Sequence, residues 1–225
     1  MASRKILPSL TTKTPGEWRN KIKEIDELGL KEISLFTTCL NIEERRELYK
    51  LLENTGIVSI PHAHLRGQDT EGWELDYLVE KFKTQVFNIH TGKVELDFVK
   101  RNEKYKDRIY VENIFMDDNF SEVLENCAGV CLDLAHWESY GFIKKYPGYA
   151  DLPRLLEKCK IGINHIGAVK KDSIDCDNHL LGDLSDLDYI KKYKNYLVDI
   201  ISIELGNPLK RQLETKEYLE KMLDI

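Results

Sequence analysis

The chain has 225 residues, 42% of them hydrophobic and 32% charged, which suits one globular domain with a sizeable core and excludes a disordered or fibrous protein. Its formal net charge of −6 argues against gripping nucleic acid by overall charge, so nucleic acid is a partner only if a local basic rim exists. No apolar run reaches the ~18 residues of a membrane span and no signal-type stretch follows Met1, so a cytoplasmic protein with no membrane partner is expected.

Short runs rich in Ile, Val, Leu or Phe read as strands at Lys5–Ser9, Glu32–Phe36, Ile57–His62, Gln85–His90, Arg108–Asn113, Gly129–Leu134, Ile161–Ile166 and Asp199–Leu205. Continuous apolar runs of this kind suit parallel strands buried on both faces. Amphipathic segments alternate with them. The first starts at Thr14-Pro15-Gly16-Glu17, keeps helical spacing to Leu28 and stops at Gly29. The second runs from Ile42 to Asn54, with Asn41 placed to cap it and Gly56 to end it. Further helices are expected at Thr70–Phe82, Val94–Glu103, Asn119–Asn126, Asp151–Lys158, Ser185–Lys194 and Lys210–Leu223. Strict strand–helix alternation implies a parallel sheet with right-handed crossovers, and eight such units can close into a (β/α)8 TIM barrel. An open doubly wound sheet would want a glycine-rich loop after the first strand, and Pro8-Ser9-Leu10-Thr11-Thr12-Lys13 has none. The expected organisation is therefore one α/β barrel domain over residues 1–225.

The five cysteines, Cys39, Cys127, Cys131, Cys159 and Cys176, form no Cys-x-x-Cys pair and read as reduced packing residues. The six histidines carry more information, because all sit at or just beyond a strand end. His62 and His64 follow the third predicted strand, His90 ends the fourth, His136 follows the sixth, His165 ends the seventh and His179 lies in the loop after it. Glu112, Asp133 and Glu204 end the fifth, sixth and eighth. In a barrel these ends converge on one face, where active sites form. Buried carboxylates need a compensating cation or hydrogen bonds, and mixed imidazole–carboxylate sets suit zinc, manganese or iron better than magnesium or calcium. A lone strand-end histidine is commonly a hydrogen-bonded core residue; their convergence is what points to a divalent-metal site.

These motifs resemble the xylose isomerase-like barrels, and among them the endonuclease IV family. Pro61-His62, His90-Thr91-Gly92, Glu112-Asn113, Asp133 with His136, His165, Asp177-Asn178-His179 and Glu204 look like that family's ligand motifs in order. The resemblance implies a metal set of His62, His90, Glu112, Asp133, His136, His165, Asp177, His179 and Glu204, holding up to three zinc ions. Glu112 would bridge two of them, and the substrate would be a phosphoester, either abasic-site DNA or a smaller phosphodiester. The chain departs from the family in its shorter Asp-x-His loop, in Leu205-Gly206-Asn207-Pro208 after Glu204, and in lacking long basic loops. The sugar isomerases and epimerases of the same superfamily imply a smaller set, Glu112, Asp133, His165 and Glu204, with Glu112 and Glu204 as the catalytic acid–base pair. His64, Arg66, Lys171 and Trp137 are expected to touch the phosphoester or sugar substrate, and Phe36, Phe115 and Tyr140 to wall the rim. An iron-dependent oxidase and a non-catalytic barrel with a structural metal complete the alternatives.

Overall fold

Strands too apolar to face water on either side must be covered by helices, and the chain does so by closing into a (β/α)8 barrel. The computed structural model describes residues 4–13, 16–114, 116–170 and 176–225. Thr14, Pro15, Phe115 and Lys171 lie outside the described residues. Nine strand segments form the barrel sheet: β1 (Lys5–Leu7), β2 (Ser9–Thr11), β3 (Ser34–Phe36), β4 (His62–His64), β5 (Val86–Ile89), β6 (Ile109–Glu112), β7 (Gly129–Asp133), β8 (Ile161–Ile166) and β11 (Ile200–Ile203). Each pairs in parallel with its neighbours, in the order β1-β11-β8-β7-β6-β5-β4-β3-β2. The expected first strand is thus split at Pro8, which has no N–H to give a ladder. Its first half pairs with β11 and its second with β3, so this one stretch of chain joins the two ends of the sheet.

Between the strands run α1 (Trp18–Glu27), α2 (Ile42–Leu52), α3 (Gly72–Phe82), α4 (Lys93–Arg101), α5 (Asp118–Leu124), the short α6 (Leu134–His136), α7 (Leu152–Leu156) and α8 (Leu209–Leu223). Asn41 caps α2 as its position suggests, its side chain accepting from the Glu44 N–H while Glu44 accepts from the Asn41 N–H. Two segments differ from expectation. The stretch expected as a helix at Ser185–Lys194 is a 3-10 helix over Leu184–Tyr196, and α6 runs into a π-helical segment, Trp137–Ile143, that no periodicity signalled. A short antiparallel pair, β9 (Ala168–Val169) and β10 (Asp177–Asn178), follows β8. Among the described residues no helix is long and apolar enough to cross a membrane.

The period of two along a strand sorts the side chains. Alternate positions such as Ile6, Leu10, Val111, Val130 and Leu132 join the large core between sheet and helices. The other parity supplies a separate small cluster, Leu7, Tyr110, Cys131, Ile163 and Ile200. Two residues further along the same parity come Ser9, Glu112, Asp133, His165 and Ser202, all buried. The barrel interior is therefore apolar at the amino ends of its strands and polar toward their carboxyl ends.

Candidate metal centre

The polar layer gathers side chains from most of the barrel. Glu112 ends β6, Asp133 ends β7, His165 lies one residue before the end of β8, and Glu204 follows β11. Their donor atoms lie within 4.8 Å of one another. A second group within the same limit consists of His64, at the end of β4, His90, just past β5, and again Glu112. Glu112 is the residue the two groups share. Its Oε2 lies 3.6 Å from His64 Nε2 and 3.5 Å from His165 Nδ1, and its Oε1 lies 3.4 Å from His136 Nδ1. His64 with His165 and Glu204, and Glu112 with Cys131 and His165, satisfy the same limit, so the groups overlap in one cluster.

Burial sets the electrostatics. It pushes Glu112 up to about 8, with Glu204 and Asp133 adding to the rise and His165 and His136 opposing it. Burial raises Asp133 as well, reinforced by Asp177 and Glu204. His64 is driven well below the ordinary histidine value by burial and by His90 beside it, and His90 falls to about 4, chiefly through burial. For His136 burial works downward, but Asp133, Asp177 and Glu112 outweigh it and carry the ring up to about 10. For His165 the carboxylates likewise overcome burial. Glu204 is held well below the carboxylate range, because His165, His179 and His64 outweigh its burial.

The donor set fits a metal on an observation independent of any resemblance. Both ring nitrogens of His64 and of His165, Nδ1 of His136 and Oε2 of Glu204 are buried without a hydrogen-bond partner. His165 Nδ1 and Glu204 Oε2 stand 3.0 Å apart but lack hydrogen-bond alignment. Orphaned imidazole nitrogens facing carboxylates at this depth cost several kcal/mol (order ~1–3 each) unless something binds them. Nitrogen and oxygen donors in this mixture suit zinc, manganese or iron.

Several residues are placed differently from the sequence expectation. His62 belongs to neither donor group. Its Nε2 lies 2.6 Å from Asn88 Oδ1 and its Nδ1 2.9 Å from Ser202 Oγ, so both nitrogens are already engaged. The strand here is His62–His64 rather than Ile57–His62, and His64, two residues along the same face, is the one that reaches the cluster. The expected third set of His136, Asp177 and His179 does not assemble as a donor group. His136 Nε2 contacts Asp177 Oδ2 at 3.0 Å, whereas His179 Nδ1 approaches the Glu204 carbonyl at 3.3 Å. Trp137 turns into the helical layer, its ring 4.9 Å from Tyr193 and 5.0 Å from Tyr196. Arg66 pairs with Asp69 and Gln68.

A cavity of about 180 Å³ opens over the cluster. Its walls include His64, His90, Glu112, His136, His179 and Glu204, with Phe36 on one side. Thr12, Lys13, Thr38 and Cys39 are among its other lining residues, and Arg66 and Trp137 are not part of it. Sequence reasoning passed over this rim; the one available signal was that Lys13 and Thr38 stand just beyond β2 and β3, where βα loops overlook a barrel mouth. Phe36 packs edge-on against His62 and His64 and tilted against His165, which fixes the inner rings.

Comparison with solved structures agrees with the fold. The chain is similar to a xylose isomerase domain protein from Alicyclobacillus acidocaldarius, at a TM-score of 0.53 and 14% identity, over 98% of this chain and 99% of that one. It is also similar to phospho-2-dehydro-3-deoxyheptonate aldolase from Thermotoga maritima, at a TM-score of 0.53 and 11% identity, over 99% of this chain and 69% of that one. No family model matches the sequence. No curated protein matches it either.

Proposed function

We propose that this barrel is a divalent-metal-dependent enzyme that hydrolyses a small phosphoester at its mouth. The observation that carries the reading is the membership of Glu112 in two donor groups, one with His64 and His90, the other with Asp133, His165 and Glu204. A carboxylate with two oxygens can serve two sites at once, and six donors are more than a single-ion site needs. When bound there, a pair of divalent ions supplies an activated water and charge neutralisation at the phosphoryl oxygens.

The protein's own groups do the rest. Lys13 places an ammonium at the rim, where it can hold an anionic substrate. His136, its Nε2 3.0 Å from Asp177 Oδ2, lines the cavity and can present its Nδ1 to a substrate oxygen. Phe36 keeps water from the inner rings. A cavity of about 180 Å³ suits a small phosphodiester or the end of a larger one, and the net charge of −6 favours a small anion over duplex DNA. The likeness in ligand order to endonuclease IV supports the chemistry but not its three-ion count, since His136, Asp177 and His179 do not form a group of their own.

A second reading, metal-dependent isomerisation of a small sugar, is favoured by the compact set Glu112, Asp133, His165 and Glu204, with Glu112 and Glu204 available as an acid–base pair. Metal analysis separates the two. Hydrolysis predicts two ions per chain and chelator-sensitive turnover of bis(p-nitrophenyl) phosphate. One ion per chain, no phosphoester turnover and interconversion of an aldose with its ketose would replace the first reading by the second.

A further inference from the structure

The buried residues beneath the cluster form a line of hydrogen bonds. Ser34 Oγ lies 2.5 Å from Ser202 Oγ, Ser202 Oγ 2.9 Å from His62 Nδ1, His62 Nε2 2.6 Å from Asn88 Oδ1, and Asn88 Nδ2 2.7 Å from Glu112 Oε2. Five residues from strands β3, β11, β4, β5 and β6 thus meet inside the barrel, and all are buried.

The chemistry of the last link orients every other. In the structure the Asn88 amide turns its NH2 toward Glu112 Oε2 and its carbonyl oxygen toward His62, the orientation that a metal-ready carboxylate requires, because once ionised it only accepts. The Asn88 oxygen also only accepts, so His62 carries its proton on Nε2. Nδ1 is then the acceptor, Ser202 donates to it, and Ser34 donates to Ser202. Donors and acceptors match at each step and all point the same way, an arrangement in which each bond polarises the next.

We propose that Ser34, Ser202, His62 and Asn88 form a one-way hydrogen-bond chain that positions Glu112 for metal binding, with His62 acting through Asn88 rather than as a ligand. This rests on the metal-enzyme reading above. The chain holds Oε2 of Glu112 from below, which stops the carboxylate rotating and keeps its remaining lone pairs toward the two donor groups. His62 is a positioning residue; its ring has no nitrogen left for an ion. Partners of this kind typically change metal affinity by about 10–100-fold when removed.

The test has two arms on the full-length protein. In metal-free protein held above pH 8, where Glu112 has lost its proton, the imidazole nitrogen-15 shifts of His62 should show the Nε2–H tautomer. The Nδ1–H tautomer would reverse the chain and overturn the proposal. In the second arm, zinc is titrated against a competing chelator into wild type, His62→Leu, His62→Gln and Ser202→Ala, with circular dichroism checking that each is folded. Wild type and all variants should bind two ions. His62→Leu should bind them about 10–100-fold more weakly, and His62→Gln, whose amide can still donate to Asn88, should recover most of that loss. If both His62 variants bind one ion fewer, His62 is a ligand and the proposal is wrong. Unchanged affinity in His62→Leu would also overturn it. Should His62→Leu fail to fold, Ser202→Ala carries the same expectation, weaker binding of two ions, and unchanged affinity there would count equally against the chain. A wild type that binds fewer than two ions would sink the proposed function instead, while the tautomer still decides the direction of the chain.

Discussion

At the scale of single residues, Glu112 concentrates the conflict between stability and function. It is buried beside Glu204 and Asp133, and among the described residues His165, His136 and the Asn88 amide favour its ionised form. Replacing Glu112 with Gln removes a carboxyl that burial forces to keep a proton it would lose when unfolded. The expected outcome is a metal-free protein with a higher melting temperature than wild type and a loss of at least one bound ion, read by thermal unfolding and metal analysis. The pH dependence follows from the same groups. Unfolded, Glu112 loses its proton near 4.5 and His136 near 6.5; folded, they keep it to about 8 and about 10. Between pH 6.5 and 8 the native state therefore binds more protons than the unfolded one, and stability falls as pH rises. Lys21, lowered to about 8 by burial, acts in the opposite sense, but over the range from about 8 to 10.5. Chelator-treated protein should melt at progressively lower temperature from pH 6.5 to 8, with a shallower slope in Glu112→Gln; a melting temperature that rises across this window would contradict the assignment.

At the scale of elements, α2 and α3 are held together by a buried ion pair rather than by apolar contact alone. Arg45 donates through Nε and Nη2 to the two oxygens of Glu74, at 2.8 and 2.9 Å, and through its other hydrogens to Leu40 and Asp69. Tyr49 and the Glu71 N–H donate to the same carboxylate. Arg45→Leu leaves Glu74 charged and buried, and should cost about 3–5 kcal/mol in urea unfolding, whereas a paired Arg45→Met, Glu74→Leu variant should recover much of it. The element that shapes the site most was also the least legible. Asp133 ends β7, caps α6 by accepting the His136 N–H at 2.8 Å, and faces His165 with its other oxygen at 3.9 Å. Trp137–Ile143 then winds as a π-helix, and Trp137 at its start packs into the helical layer. A π-turn departs from the 3.6-residue spacing of an α-helix, so the spacing of Trp137 from His136 could not tell whether the indole faces substrate or core.

At the scale of the whole molecule, a cluster that gathers residues from β4, β6, β7, β8 and the chain beyond β5 and β11 links metal binding to folding. An ion bound only by the native barrel stabilises it by mass action, about 4 kcal/mol when free metal is 1,000 times its dissociation constant. Zinc or manganese should therefore raise the melting temperature of chelator-treated protein, and His64→Ala should reduce the shift without abolishing it, since Asp133, His165 and Glu204 are untouched; magnesium, which prefers an all-oxygen shell, should do less. By itself the sequence determined the alternation of strand and helix, hence the barrel, and the strand ends that bear Glu112, Asp133, His165 and Glu204, because apolar runs and chain order are local properties. What the tertiary structure decided was which residue of a pair two apart reaches the donor layer and which is absorbed beneath it. His62 and His64 lie on the same face of one strand, and only the neighbours supplied by β5 and β11, Asn88 and Ser202, saturate the first and leave the second free.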